Sequence, residues 1–168
     1  LVSSGVKELV VIAQDTTVYG ADLYGKPMIS ELLRRLSEIE GLMWLRLMYA
    51  YPDRVDDELA GLYADGLGGK LVPYIDLPMQ HGSAGVLSAM NRSGSPEKII
   101  SVVENLRKAN PCMAVRSTFM VGFPGETERE FSELLDFIRE VRPQRAGVFR
   151  FSPEEGTPAA SMPGQVPE

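Results

Sequence analysis

The chain has 168 residues, enough to bury one good core, and its 44% hydrophobic content includes no apolar stretch long enough for a membrane-spanning helix. A formal net charge of −6 disfavours non-specific nucleic-acid binding, and the single cysteine, Cys112, excludes an internal disulfide or a cysteine-built metal site within these residues. No secretory-leader pattern is visible, so the expected location is cytoplasmic.

The first strand-like run, 6–13, is apolar and β-branched and ends in Gln14, Asp15, Thr16 and Thr17. A helix is expected from Ser30 and Glu31, with Leu32, Leu33, Leu36 and Ile39 on one face and Gly41 closing it. The run 42–48 is nearly continuously apolar and gives way to Tyr49, Ala50, Tyr51 and Pro52. Asp56 and Asp57 precede a second helix bearing Leu59, Leu62 and Tyr63, and the run 71–75 then leads into Asp76-Leu77-Pro78-Met79-Gln80-His81-Gly82-Ser83. Ser95, Pro96 and Glu97 supply an N-cap, a first-turn proline and a first-turn acid to a helix carrying Ile99, Ile100, Val102, Val103 and Leu106; Asn110-Pro111 stops it. Cys112 follows at a strand start, where a plain buried thiol is expected, and Met43, Met48, Met79, Met90, Met113 and Met120 read as core filling. The fourth strand ends in Val121-Gly122-Phe123-Pro124-Gly125-Glu126-Thr127-Glu128. The helix after it places Phe131, Leu134, Leu135 and Ile138 on one face and stops before Pro143. The run 146–151 closes the series and leads into Ser152-Pro153-Glu154-Glu155-Gly156-Thr157.

Continuous apolar runs alternating with amphipathic helices predict an α/β fold whose parallel strands are covered on both faces. Ligands in such folds bind at the carboxyl edge of the strands, and the five polar or Gly/Pro clusters all fall on that edge. Gly122 and Gly125 permit close backbone approach, Pro124 stiffens the turn, and Thr127 with Glu128 begins the next helix. The loop therefore reads as a cofactor seat in which backbone N–H groups face a polar or anionic ligand, the plain alternative being an ordinary strand-to-helix turn.

The segments Ile12 to Gly25, with Gln14-Asp15-Thr16-Thr17 at its start, Met48-Tyr49-Ala50-Tyr51-Pro52, Pro78-Met79-Gln80-His81-Gly82-Ser83, Arg116 to Glu128, Phe151 to Thr157 and Gln165-Val166-Pro167-Glu168 together resemble the radical SAM methylthiotransferases. Within that family the chain is similar to the branch that modifies an aspartate of small-subunit ribosomal protein S-twelve. The tRNA-modifying branch has Gln-Ser-Gly-Ser in place of Gln80-His81-Gly82-Ser83 and Arg-Pro-Gly-Thr in place of Glu154-Glu155-Gly156-Thr157. The resemblance implies a partial TIM-like barrel with outer helices, S-adenosylmethionine (SAM) and 4Fe-4S clusters as cofactors, and a transferase reaction at the aspartate β-carbon. The family's Cys-x-x-x-Cys-x-x-Cys cluster loop is absent, so the expectation is a chain that begins after the first barrel strand, holds no metal ligand and is inactive alone. Residues 1–158 are then the later part of the radical SAM core, and 159–168 a linker toward a TRAM domain. An uncovered first strand carrying Val10, Val11 and Ile12 is expected to self-associate.

The resemblance also suggests roles for the loops. Gln14 and Asp15 are placed to bind the methionine end or hydroxyls of SAM, with turn closure as the plain alternative. Gln80 and Ser83 bind ribose hydroxyls or shape the substrate mouth. Gly122, Pro124, Gly125 and Glu126 give backbone contacts to adenine. Arg116, polar within an apolar strand, pairs either with the SAM carboxylate or with an acidic neighbour. His81 lines the substrate side, since radical abstraction needs no general base, and Glu154 and Glu155 attract a basic ribosomal loop. A tRNA-modifying relative, a phosphate-handling barrel enzyme and a non-catalytic docking module are the competing readings; the phosphate reading requires a lysine or a catalytic carboxylate among the strand-end clusters, and Lys7, Lys26, Lys70, Lys98 and Lys108 do not fall there cleanly.

Overall fold

In the computed structural model residues 1–167 are described; Glu168, the last residue of the expected linker, lies outside them. Five strands, β1 (Glu8–Val11), β2 (Trp44–Leu47), β3 (Leu71–Asp76), β4 (Ala114–Val121) and β5 (Arg145–Arg150), pair in parallel in the order of the chain. The helices are α1 (Ala21–Tyr24), α2 (Ile29–Ser37), α3 (Asp57–Gly69), α4 (Ala84–Ala89), α5 (Pro96–Ala109) and α6 (Glu128–Val141). Leu9 lies opposite Leu45, Leu47 opposite Ile75, Ile75 opposite Val115, and Phe119 opposite Val148. This row faces the helices, and Leu45, Leu47, Ile75, Val115 and Phe119 on it are fully buried.

Side chains alternate across a strand, so the neighbouring positions Glu8, Arg46, Tyr74, Asp76 and Arg116 occupy the opposite face. Here the structure departs from the expectation of two covered faces. Along β4, Val115, Ser117 and Phe119 are buried while Ala114, Arg116 and Thr118 remain partly open. The second face is satisfied by charge rather than by a helix layer: Arg46 donates to Glu8 at 2.7 Å and its guanidinium stacks 5.0 Å from the Tyr74 ring centroid. β1 pairs only with β2, leaving Val10 and Ile12 exposed, and β5 forms the other edge with Val148 and Phe149 exposed.

Helix starts follow the sequence signals at three places. The Asp56 carboxylate accepts from Leu59 N at 2.8 Å and Ser95 Oγ from Lys98 N at 3.3 Å, while Thr127 and Glu130 form a reciprocal capping box. Hydrogen bonds from Thr127 and then Arg129 hold the Glu130 carboxyl down at about 2. Elsewhere expectations fail for local reasons. Helix α2 opens at Ile29 with Met28 at the cap, so Ser30 is buried inside the helix, and it ends at Ser37 before Gly41 turns the chain at φ 82°. The buried seam of α6 is Leu134, Phe137 and Val141, and Phe131 and Leu135 stay more than a third exposed because β5 gives them an edge and not a covered surface. Cys112 is exposed: it sits in the turn after α5, its N–H donating to Asn110 Oδ1 at 2.9 Å, and Met113 is the residue that enters the core. Met43 likewise is half exposed and not core filling, whereas Met79 is buried.

Candidate functional site

At the carboxyl end of β4 the chain turns through Gly122 at φ 76° and Gly125 at φ 85°, with Pro124 buried between them. Glu126 folds back over this turn. Its Oε2 accepts from Gly122 N at 2.6 Å and from Phe123 N at 3.2 Å, and Gly125 N donates to Gly164 O at 2.8 Å. The N–H groups expected to face a ligand are thus already engaged, and the loop is a preformed clamp rather than an open nest. The space before it is free, because a Cβ built on Gly122 or Gly125 meets nothing within 4 Å. Beside it lies a groove of about 1090 Å³ whose wall includes Phe131, Phe149, Phe151, Glu126 and Gln165. The residues fit an adenosyl cofactor: aromatic walls, a few polar edges and backbone that approaches without side-chain obstruction.

A second loop runs alongside. Gln80 adopts φ 69°, its N–H donates to Thr118 O at 2.9 Å, and its carbonyl accepts from Met120 N at 2.8 Å, so 79–81 extends beside the end of β4. His81 then points inward and is fully buried, which removes it from the substrate surface where it was expected. Its Nδ1 accepts from Ser83 N at 2.9 Å; the proton of the neutral ring is therefore on Nε2, which faces Glu126 Oε1 at 3.6 Å. Ser83, the N-cap residue of α4, is buried as well.

Burial pushes the His81 imidazole down, with Glu126 the main group drawing it back up and Glu133 and Glu130 adding to it. The folded value thus lies below the 6.5 of the free group, and the unfolded chain takes up its proton first. The stability due to neutral His81 is complete above about pH 6.5 and declines as pH falls through the window beneath it. Urea midpoints between pH 7.5 and 5 check this: the wild-type midpoint should fall more steeply than that of His81→Gln.

Across β3 and β4, Asp76 and Arg116 are register partners, and Arg116 Nη1 donates to Asp76 Oδ1 at 2.7 Å. Of the two readings for Arg116, the acidic neighbour is the contact present. The Asp76 hydrogen bond pushes the guanidinium further up, so it stays charged. Asp76 Oδ2 is buried without a partner. Asp15 accepts from Thr17 N at 2.9 Å and pairs with Arg54, closing the turn after β1, and Gln14 beside it is exposed. Glu154 and Glu155 are exposed in the loop after β5. The structure therefore joins His81, Glu126 and the Gly122–Gly125 turn into one unit and Asp76 with Arg116 into another. Sequence reasoning missed Asp76, although an acid ending an apolar strand beside an arginine-bearing one is a readable signal.

Among the described residues no cluster of three His, Cys, Asp or Glu side chains is arranged to hold a metal, so the chain itself does not fit an iron–sulfur cluster. No described helix is long and apolar enough to cross a membrane.

Residues 1–138 match the sequence profile of the Radical SAM superfamily. Over all of its length the chain is 55% identical to the ribosomal protein uS12 methylthiotransferase RimO of Moorella thermoacetica and 54% identical to that of Pelotomaculum thermopropionicum, spanning 38% and 37% of those proteins. The fold is shared with the radical S-adenosylmethionine methyltransferase TsrM of Kitasatospora setae, a structure with cobalamin and a [4Fe-4S] cluster bound: TM-score 0.67, 16% identity, covering 89% of this chain and 28% of that one. It is shared too with Escherichia coli coproporphyrinogen III oxidase (HemN), a radical SAM enzyme: TM-score 0.61, 19% identity, covering 83% of this chain and 32% of that one. The parallel sheet with its outer helices is thus a partial TIM-like radical SAM fold, and the chain belongs to the radical SAM superfamily.

Proposed function

We propose that this chain is part of a radical SAM transferase that methylthiolates the β-carbon of an aspartate in ribosomal protein uS12, in the cytoplasm, using SAM and 4Fe-4S clusters. The observation that carries this reading is the 55% identity to a uS12 methylthiotransferase across the whole chain. SAM bound beside a reduced cluster would supply the radical chemistry, and the cluster ligands are not among the described residues. What this chain contributes is binding and exclusion of water. Phe149 and Phe151 offer an apolar wall for adenine, and the Gly122–Gly125 turn lets the cofactor approach the backbone. Arg116, kept charged by Asp76, has further donors for a carboxylate, and Gln14, Gln80 and Ser83 lie on loops at the same strand edge. Residues 1–158 act as the core and 159–168 as a linker, within which Gly164 meets the turn. The open β1 edge supports self-association of the isolated chain.

Glu154 and Glu155 select the substrate by charge: at the mouth of the barrel they attract a basic protein loop and repel RNA phosphates. In a protein carrying this segment together with its cluster-binding part, replacing Glu154 by Arg and Glu155 by Pro should lower kcat/KM for uS12 about tenfold and flatten its salt dependence. SAM cleavage without substrate should stay near the wild-type rate. An unchanged kcat/KM with an unchanged salt response means the pair is a solvated loop only.

A further inference from the structure

One buried polar group that the proposed binding roles leave unused stands directly behind the Gly122–Gly125 turn. His81 Nε2 has no hydrogen-bond partner at ordinary distance, yet it is sealed from water and stands 3.6 Å from Glu126 Oε1. Glu126 is almost fully buried too, and its other oxygen holds both Gly122 N and Phe123 N. A buried ring N–H with no acceptor at hydrogen-bond distance is a costly arrangement, and Glu126 Oε1 is the acceptor that stands in front of it. Ser83 N–H fixes Nδ1 as the acceptor, which forces the proton onto Nε2 and aims it at Oε1.

We infer that His81 is a positioning residue: through the proton on its Nε2 it orients the Glu126 carboxylate, and that carboxylate sets the backbone of the Gly122–Gly125 turn. The loop 80–83 and the turn 122–126 then move as one body, an arrangement strengthened by the exchange of backbone bonds between Gln80 and the end of β4. A local change at 81, which itself lines no part of the groove, is felt through Glu126 at 122 and 123. The consequence for cofactor affinity rests on the reading of the turn as part of the SAM site; the mechanical coupling does not.

Two variants of similar size separate the donor from the acceptor. In His81→Gln the side-chain amide reaches the Nε2 position and keeps a donor toward Glu126; in His81→Asn it stops near Nδ1, keeping an acceptor for Ser83 N and losing the donor. Amide hydrogen exchange of the whole chain should show Gly122 and Phe123 opening at least tenfold faster in His81→Asn than in His81→Gln, with Val115 and Leu106 unchanged. Equal exchange in the two variants, fast or slow, overturns the inference. A measurement on the wild-type protein needs no variant. Nitrogen-15 spectra at pH 7.5 should show Nε2 protonated and Nδ1 bare, and the opposite tautomer also overturns it. Titration with S-adenosylhomocysteine tells the two readings apart. If a protein carrying this segment together with its cluster-binding part takes up none, the turn loses its place in the SAM site, while the exchange contrast still decides the coupling.

Discussion

Gly82→Ala should destabilise the chain by about 3 kcal/mol, the upper end of what overpacking a dense core costs. Gly82 has an ordinary backbone conformation and is buried where the 80–83 loop crosses α6. A Cβ there lies 3.0 Å from Leu134 Cα and closer still to Phe137 Cβ. Neither is the end of a flexible side chain, so relief requires the loop or the helix to shift. The opposing effect, the smaller unfolded-state entropy of Ala, amounts to about 0.5–1 kcal/mol and loses. Gly61, inside α3 with nothing within 4 Å of a built Cβ, is the internal control: Gly61→Ala should gain up to about 1 kcal/mol. Urea unfolding of both variants measures the two signs in one experiment, and a Gly82→Ala midpoint at or above wild type contradicts the packing described.

Arg116→Ala should cost about 3 kcal/mol at neutral pH, the lower end of the range for breaking a buried ion pair. The asymmetry of the pair decides the size. Asp76 has a side chain only 1% exposed and already lacks a partner for Oδ2, whereas Arg116 is 36% exposed and regains water when alone. Removing Arg116 leaves a buried carboxylate with no partner at either oxygen. The reciprocal Asp76→Ala should cost less, and the double variant less than the sum, because a buried pair removed together leaves nothing unsatisfied. Chemical denaturation of all four proteins gives the coupling; strict additivity contradicts a direct interaction between them.

The strands and most helices were legible because their signals are local: apolar runs of the right length, Asp56, Ser95 and Thr127 at helix starts, and Asn110-Pro111 at a stop. The failures share a cause. Whether Phe131, Leu135, Met43 or Cys112 is buried depends on what lies opposite, and at the sheet edges and in turns nothing does. At the site, glycine placement marked the turn itself, where Gly122 and Gly125 take positive φ. Local sequence gave no indication that Glu126 occupies the turn's own N–H groups, or that His81 faces Glu126 from 45 positions away in the chain. Such pairings are created by the packing of α6 against the loop before α4 and leave no periodic trace.

The order of the sheet has a bearing on how the chain acquires its shape. Each strand from β2 to β5 joins the one before it in sequence, and none is inserted between two earlier ones. Each of these four strands therefore finds its ladder already available as it emerges from synthesis, and loss of either edge strand severs one ladder and leaves the rest paired. A doubly wound sheet, whose first strand lies in the middle, has no such property. Growth by addition at one margin makes this sheet divisible: a segment spanning 38% of a related enzyme keeps a continuous set of strand pairings.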